Sequence, residues 1–178
     1  MSEPTAKRTA VKPALQSLFL VFRIGNERFA LQAIEVAEVL PCLPLKPIPR
    51  APEWVAGVFA YRGAVVPVID LSALTFGHPA QARTSTRLVL VNYRPGENAE
   101  AQLLGLILEQ ATDTLRCKPA DFQPYGLDNR QAPYLGPVRE DAQGLLQWVR
   151  VADLLDEQVR ALLFPPQPVD LALLEERS

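Results

Sequence analysis

A chain of 178 residues, 48% of them apolar, is long enough to bury a core of its own without a disulfide or metal staple. Its 18 Lys and Arg nearly balance 20 Asp and Glu and form no long basic run, which excludes a nucleic-acid backbone as the main partner. Its 2 cysteines, Cys42 and Cys117, and its single histidine, His78, make no cluster at zinc-ligand spacing, and no apolar run approaches the roughly 20 residues that cross a bilayer.

In chain order, residues 1–16 are polar and without apolar periodicity. Lys7, Arg8 and Lys12 are not followed by a continuous apolar stretch, so the segment reads as a flexible leader rather than a secretory signal, and the protein as cytoplasmic. Order is expected from Ser17. Leu18-Phe19-Leu20-Val21-Phe22-Arg23-Ile24 is β-rich and apolar on both faces. Gly25-Asn26 then supplies the positive φ of a tight turn, and residues 27–31 return as the second strand of a hairpin. Residues 33–40 fit a short helix followed by a strand stopped at Pro41, and Ile34, Val36, Val39 and Leu40 cannot all share one strand face. Prolines 41, 44, 47, 49 and 52 leave a stiff, extended connection.

Residues 55–61 and 64–70 are two β-rich runs joined across Arg62-Gly63, the clearest hairpin in the chain. Pro67 cannot donate to a ladder, so its N side should face an edge, a bulge or solvent. Further strands are expected over residues 86–93, 103–109, 111–116 and 145–150, and residues 119–137 read as irregular with a brief apolar insert, Tyr134-Leu135-Gly136. Val151, Leu154, Leu155, Val159, Leu162 and Leu163 fall at helical spacing and predict an amphipathic helix over 151–164, ended by Pro165-Pro166. Leu171, Leu173 and Leu174 suit a loose terminal turn. Many short strands with one helix indicate an all-β barrel or sandwich. No sequence repeat stands out, although a fold of two similar barrels can hide one.

The catalytic inventory is sparse. His78 sits between Gly77 and Pro79, and no nucleophile elbow surrounds Ser17, Ser72 or Ser85. The phosphate-cradling patterns G-x-x-x-x-G-K-[ST] and G-x-G-x-x-G do not occur. The adjacent acids Glu140-Asp141 and Glu175-Glu176 are expected on a solvated loop or tail. No catalytic residue, cofactor or metal is assigned, and no enzyme is expected. The alternative is a β-barrel enzyme or small-ligand binder, which would need a deep pocket of convergent acids near Glu109, Asp113 or Asp141.

The positive feature is the turn Ala60-Tyr61-Arg62-Gly63. Arg62 is flanked by Phe59, Tyr61 and Val65, the cationic and aromatic mixture enriched at protein-binding hot spots. Taken alone, the turn fits a solvated hairpin tip better than a binding surface.

Its surroundings change that balance. Phe19-Leu20-Val21-Phe22-Arg23-Ile24-Gly25-Asn26-Glu27-Arg28-Phe29-Ala30-Leu31, Val36-Ala37-Glu38-Val39-Leu40 and Pro52-Glu53-Trp54-Val55-Ala56-Gly57-Val58 precede the hairpin string Arg62-Gly63-x-Val-x-Pro-Val-Ile-Asp70-Leu71. Leu104-Gly105-Leu106-Ile107-Leu108-Glu109, Tyr134-Leu135-Gly136 and Leu154-Leu155 follow it. In order and spacing this set resembles the CheW family of chemotaxis coupling proteins, from Ser17 to Phe164. Two departures stand out: Ala60-Tyr61-Arg62-Gly63 replaces the family's Asn-Leu-Arg-Gly, and Glu109 replaces an Asp. The bulky ring of Tyr61, with Val39-Leu40-Pro41 and the string Phe59-Ala60-Tyr61, looks closer to WspB-like couplers of a surface-sensing pathway than to flagellar ones.

The resemblance implies two intertwined five-stranded SH3-like β-barrels with a short C-terminal helix, residues 1–16 and 165–178 lying outside the domain of 17–164. It implies an adaptor that joins the cytoplasmic tip of a methyl-accepting chemoreceptor to the regulatory domain of a CheA-type histidine kinase. Carried over by position, Val36, Glu38, Val39, Gly57 and Arg62 are receptor-side candidates, and Tyr61 joins them as a bulky neighbour. Val36 and Val39 would give apolar contact, Glu38 and Arg62 would orient the partner through charged hydrogen bonds, and Gly57 would let a backbone approach closely.

Overall fold

The computed structural model describes residues 15–166 other than 125, 127 and 128. The expected leader falls outside these residues apart from Leu15 and Gln16, as do residues 167–178 of the expected tail with the turn at Leu171, Leu173 and Leu174.

Nine strands form the framework of the described chain: β1 (Ser17–Ile24), β2 (Glu27–Gln32), β3 (Val36–Pro41), β4 (Val55–Tyr61), β5 (Ala64–Asp70), β6 (Arg87–Tyr93), β7 (Gln102–Cys117), β8 (Leu135–Asp141) and β9 (Gly144–Val149). Two short helices, α1 (Leu71–Phe76) and α2 (Glu157–Leu163), follow β5 and β9. The strands divide into two five-stranded barrels that share β7. In the first barrel, β4 pairs with β5, β5 with the opening half of β7, that half with β6, and β6 with β3. The second takes the closing half of β7, then β1, β2, β9 and β8. Strands from the two ends of the chain therefore enclose those from its middle, the intertwined arrangement that the sequence resemblance implies.

The two expected strands at 103–109 and 111–116 are thus one strand, broken only where Gln110 adopts φ +48°. A left-handed residue changes the strand's direction and lets β7 leave one barrel for the other.

The barrels repeat each other. Asp70 N–H donates to Trp54 carbonyl at 2.8 Å, and Arg150 N–H donates to Tyr134 carbonyl at 2.8 Å. Lys46 bridges Val58 in the first barrel, and Gln123 bridges Val138 in the second. Each first-barrel residue of Trp54, Val58 and Asp70 precedes its counterpart Tyr134, Val138 and Arg150 by the same number of positions. The hairpin of β4 and β5 is therefore the counterpart of the hairpin of β8 and β9.

Side chains alternate between two cores. On β6, Leu88 and Leu90 point into the first barrel with Val66 and Val68, while Val89, Val91 and Tyr93 enter the core shared by both barrels. On β1, Phe19 and Val21 enter the second barrel with Phe122 and Leu146, and Leu20, Phe22 and Ile24 the shared core. This double burial explains why the first strand is apolar on both faces. Cutting Leu90, which is fully buried, to Ala should cost about 2–5 kcal/mol.

Three expectations are corrected. Residues 151–164 are not one helix: a 3-10 turn, Val151–Asp153, precedes α2, whose start is set by Asp156 accepting from Val159 N–H at 2.8 Å. Residues 135–137, taken as irregular, begin β8, because the ladder to β9 satisfies a backbone that Gly136 and Pro137 do not suit by propensity. Asp141 lies at the end of that strand rather than on a solvated loop, held at 2.7 Å by Arg28. Helix α1 was not foreseen. Asp70 caps it, accepting from Ala73 N–H at 3.1 Å, and left-handed Gly77 ends it.

Candidate protein-binding surface

The edge strand β3 and the tip of the β4–β5 hairpin build this surface. The short helix and strand expected over 33–40 form as a 3-10 turn, Ala33–Glu35, followed by β3. A bulge then sorts the side chains. Val36 pairs with Val91 and Val39 with Val89, whereas Glu38 pairs with Leu90 and Leu40 with Leu88. Paired residues point to the same side of a sheet. The extra residue, Ala37, thus puts Val36 and Val39 on the shared-core face and Glu38 and Leu40 on the first-barrel face. Val36 packs on the shared core and Val39 is 45% exposed.

Across the mouth of the first barrel, Arg62 and Gly63 turn the hairpin with φ +47° and +82°, the two positive values of a type I′ turn. A positive φ is ordinary for Gly63 and costs an arginine roughly 1 kcal/mol. Arg62 Nη2 lies 3.6 Å from Glu38 Oε2, with the arginine side chain 77% exposed. Its guanidinium carbon sits 5.0 Å from the centre of the Tyr61 ring, whose centroid is 6.1 Å from that of Phe59. Phe59 and Tyr61 pack on the Val66, Val68, Leu88 and Leu90 core. The result is a cation seated on an aromatic platform with a carboxylate on one flank.

Five of the six candidate residues, Val36, Glu38, Val39, Tyr61 and Arg62, lie on β3 and the hairpin that faces it. Gly57 is placed differently. It is buried at φ +144°, and a Cβ there would come within 2.5 Å of Lys46 carbonyl oxygen. The backbone that approaches it is the chain's own proline-rich connection, bonded to Val58 by two 2.9 Å hydrogen bonds. Two exposed aliphatic residues lie outside the six candidates: Val65, which the sequence places beside Arg62, at 71%, and Leu43, just past β3, at 41%. The signal for Val65 was its place opposite Ala60 in the alternating hairpin.

Just before β3, burial pushes the Glu35 carboxyl above its usual range, and its Oε2 has no hydrogen-bond partner among the described residues.

The residues named for catalysis do not converge. Ser72 Oγ lies 3.4 Å from His78 Nδ1, but Ser72 is 1% exposed. The nearby Asp70 carboxylate is taken up by the N–H groups of Ala73 and Ala80. Glu109 accepts from Gln81 N–H at 2.7 Å, and Asp141 is bound to Arg28 and Arg139. A surface groove of about 1050 Å³ on the second barrel is lined by Phe122, Leu135, Gln147 and Arg150, and the one acid among the described lining residues is Glu27. No deep pocket of convergent acids is formed there.

The family model described as a CheW-like domain matches residues 18–159. The chain belongs to the CheW-like family. It is 31% identical over 105 residues to the chemotaxis protein CheW of Rhizobium meliloti, covering 59% of this chain and 64% of that protein. The chain thus spans less than two thirds of that relative's length. Protein FrzA of Myxococcus xanthus is 33% identical over 123 residues, 68% of this chain and 73% of FrzA. In fold, the CheW-like chain matches the crystal structure of the scaffolding protein TtCheW from Thermoanaerobacter tengcongensis with a TM-score of 0.70. That match holds at 19% identity and covers 83% of this chain and 92% of the other.

Proposed function

We propose that this chain is an adaptor without turnover of its own, coupling the cytoplasmic tip of a methyl-accepting chemoreceptor to the regulatory domain of a CheA-type histidine kinase in a chemosensory array. The observation that carries this reading is the Glu38, Tyr61 and Arg62 constellation at the mouth of the first barrel. A mostly exposed arginine is kept there in a left-handed backbone conformation that glycine would adopt without cost. Backbone strain of this kind collects at binding sites. Family membership, and the words chemotaxis and scaffolding in the names of similar proteins, point the same way.

In this reading Glu38 and Arg62 orient the receptor, Tyr61 supports Arg62, and Val39 gives apolar contact from the other face of the edge strand, with Val36 packed behind it. Gly57 acts indirectly, by letting the proline-rich connection close against β4. The protein works in the cytoplasm beside membrane receptors; no described helix is long and apolar enough to cross a membrane itself.

The test is to mix the purified chain with a receptor-tip fragment and a CheA-type kinase. A complex of all three that sediments together, with an altered rate of kinase phosphorylation, is the expected result. Binding to neither protein would overturn the proposal.

A further inference from the structure

The family's usual residue before the hairpin arginine is Leu, and here it is Tyr61. That substitution changes what the arginine can do. A guanidinium is planar and has five N–H donors around its edge. The guanidinium carbon of Arg62 stands over the Tyr61 ring, 5.0 Å from the ring centre. One nitrogen, Nη2, faces Glu38 at 3.6 Å, a distance that is an ion pair but not a strong hydrogen bond. The side chain is nevertheless 77% exposed, so most of the donor edge faces solvent.

The ring that holds the cation is itself fixed. Tyr61 is half-buried, packs on the first-barrel core and meets Phe59 at a 6.1 Å centroid separation. A leucine at this position would fill part of the same space but would offer no negative π face to a cation. The arginine would then be tethered by Glu38 alone, an exposed pair of the kind worth little in water.

We propose that Tyr61 is a positioning residue that holds the Arg62 guanidinium edge outward, so that Arg62 selects a partner surface carrying a carboxylate. Ordering the side chain before binding removes part of the entropy that the complex would otherwise lose. A planar donor edge suits a carboxylate, which accepts two of its N–H groups at once. A partner with only apolar residues at this point would leave those donors without acceptors. This inference rests on the adaptor reading for the partner's class, but the ordering of Arg62 by Tyr61 does not.

Two measurements separate the parts. The first needs no partner: nitrogen-15 relaxation of the Arg62 Nε–H in the full chain, its Tyr61→Phe variant and its Tyr61→Leu variant. The wild type and Tyr61→Phe should show an ordered side chain and Tyr61→Leu a mobile one. Equal mobility in all three would overturn the positioning role. The second titrates the same three proteins with a receptor-tip fragment from the same genome, and with fragments in which exposed Glu and Asp are changed one at a time to Gln and Asn. Tyr61→Leu should weaken binding about two- to fivefold, Tyr61→Phe should not, and one amide variant should remove the difference. A loss from Tyr61→Leu that persists in the Arg62→Ala background, or that no amide variant removes, would overturn the carboxylate partner. If the wild type binds no fragment, the adaptor reading fails, and the relaxation result still decides the role of Tyr61.

Discussion

Arg28 on β2 and Asp141 at the end of β8 meet as a two-pronged ion pair, Nη1 to Oδ1 at 2.7 Å and Nη2 to Oδ2 at 3.1 Å. The pair ties the N-terminal hairpin to the C-terminal one inside the second barrel, and Arg139 adds a contact at 3.3 Å. Arg28 is 9% exposed, so little water competes for it. Removing the acceptor with Asp141→Leu should lower unfolding free energy by about 2–3 kcal/mol, measured by urea titration, because a nearly buried guanidinium loses its charged partner.

The same pair sets an acid limit. The hydrogen bond from Arg28 holds the Asp141 carboxyl below its usual range, helped by Gln143 N–H and Arg139. A depressed folded-state pKa contributes stability that is present above the unfolded carboxyl range, near about 3.9, and is lost as pH falls through the folded value. Melting curves from pH 7 to pH 3 should fall more steeply for the wild type than for Asp141→Asn. Parallel curves would contradict this.

Glu35 behaves in the opposite sense. Burial raises its carboxyl, so the folded state favours the proton, and its contribution is present below the unfolded pKa and lost as pH rises through the folded one. Glu35→Gln removes this half-buried charge and should stabilise the chain at pH 7, with a smaller gain at pH 4. The checking measurement is a pair of urea titrations at the two pH values.

Gly57→Ala should destabilise by about 2–4 kcal/mol, since the new Cβ would stand 2.5 Å from Lys46 carbonyl oxygen at a φ of +144°. Any loss of partner binding should follow from the displaced connection. Hydrogen exchange should show it, with the Lys46 and Val58 amides losing protection.

Much of this could be read from the chain and some could not, for physical reasons. The hairpin across Arg62-Gly63, the short helical turn before β3 and the stiff connection after it carry local signals: turn residues, prolines and a change of period. The internal repeat carries none. Of its paired positions, Val58 and Val138 carry the same residue, but Trp54 and Tyr134, and Asp70 and Arg150, do not, so the shared backbone bonds and their equal spacing are what expose it. Strand β8 was hidden because Gly136 and Pro137 read as breakers, and the ladder to β9 overrides them. At the candidate site the residue types were legible, but their sorting was not. The bulge at Ala37 that turns Glu38 toward Arg62 and Val39 away depends on register with β6, which one strand's sequence does not encode.

The most direct test is the affinity of the chain for a receptor-tip fragment before and after Arg62→Ala, with thermal unfolding of both proteins measured alongside. Binding should weaken by on the order of 1–2 kcal/mol or more with stability almost unchanged, because the side chain is exposed and its ion pair weak. Unchanged binding, or a large loss of stability, would contradict it and return Arg62 to a structural role at a hairpin tip.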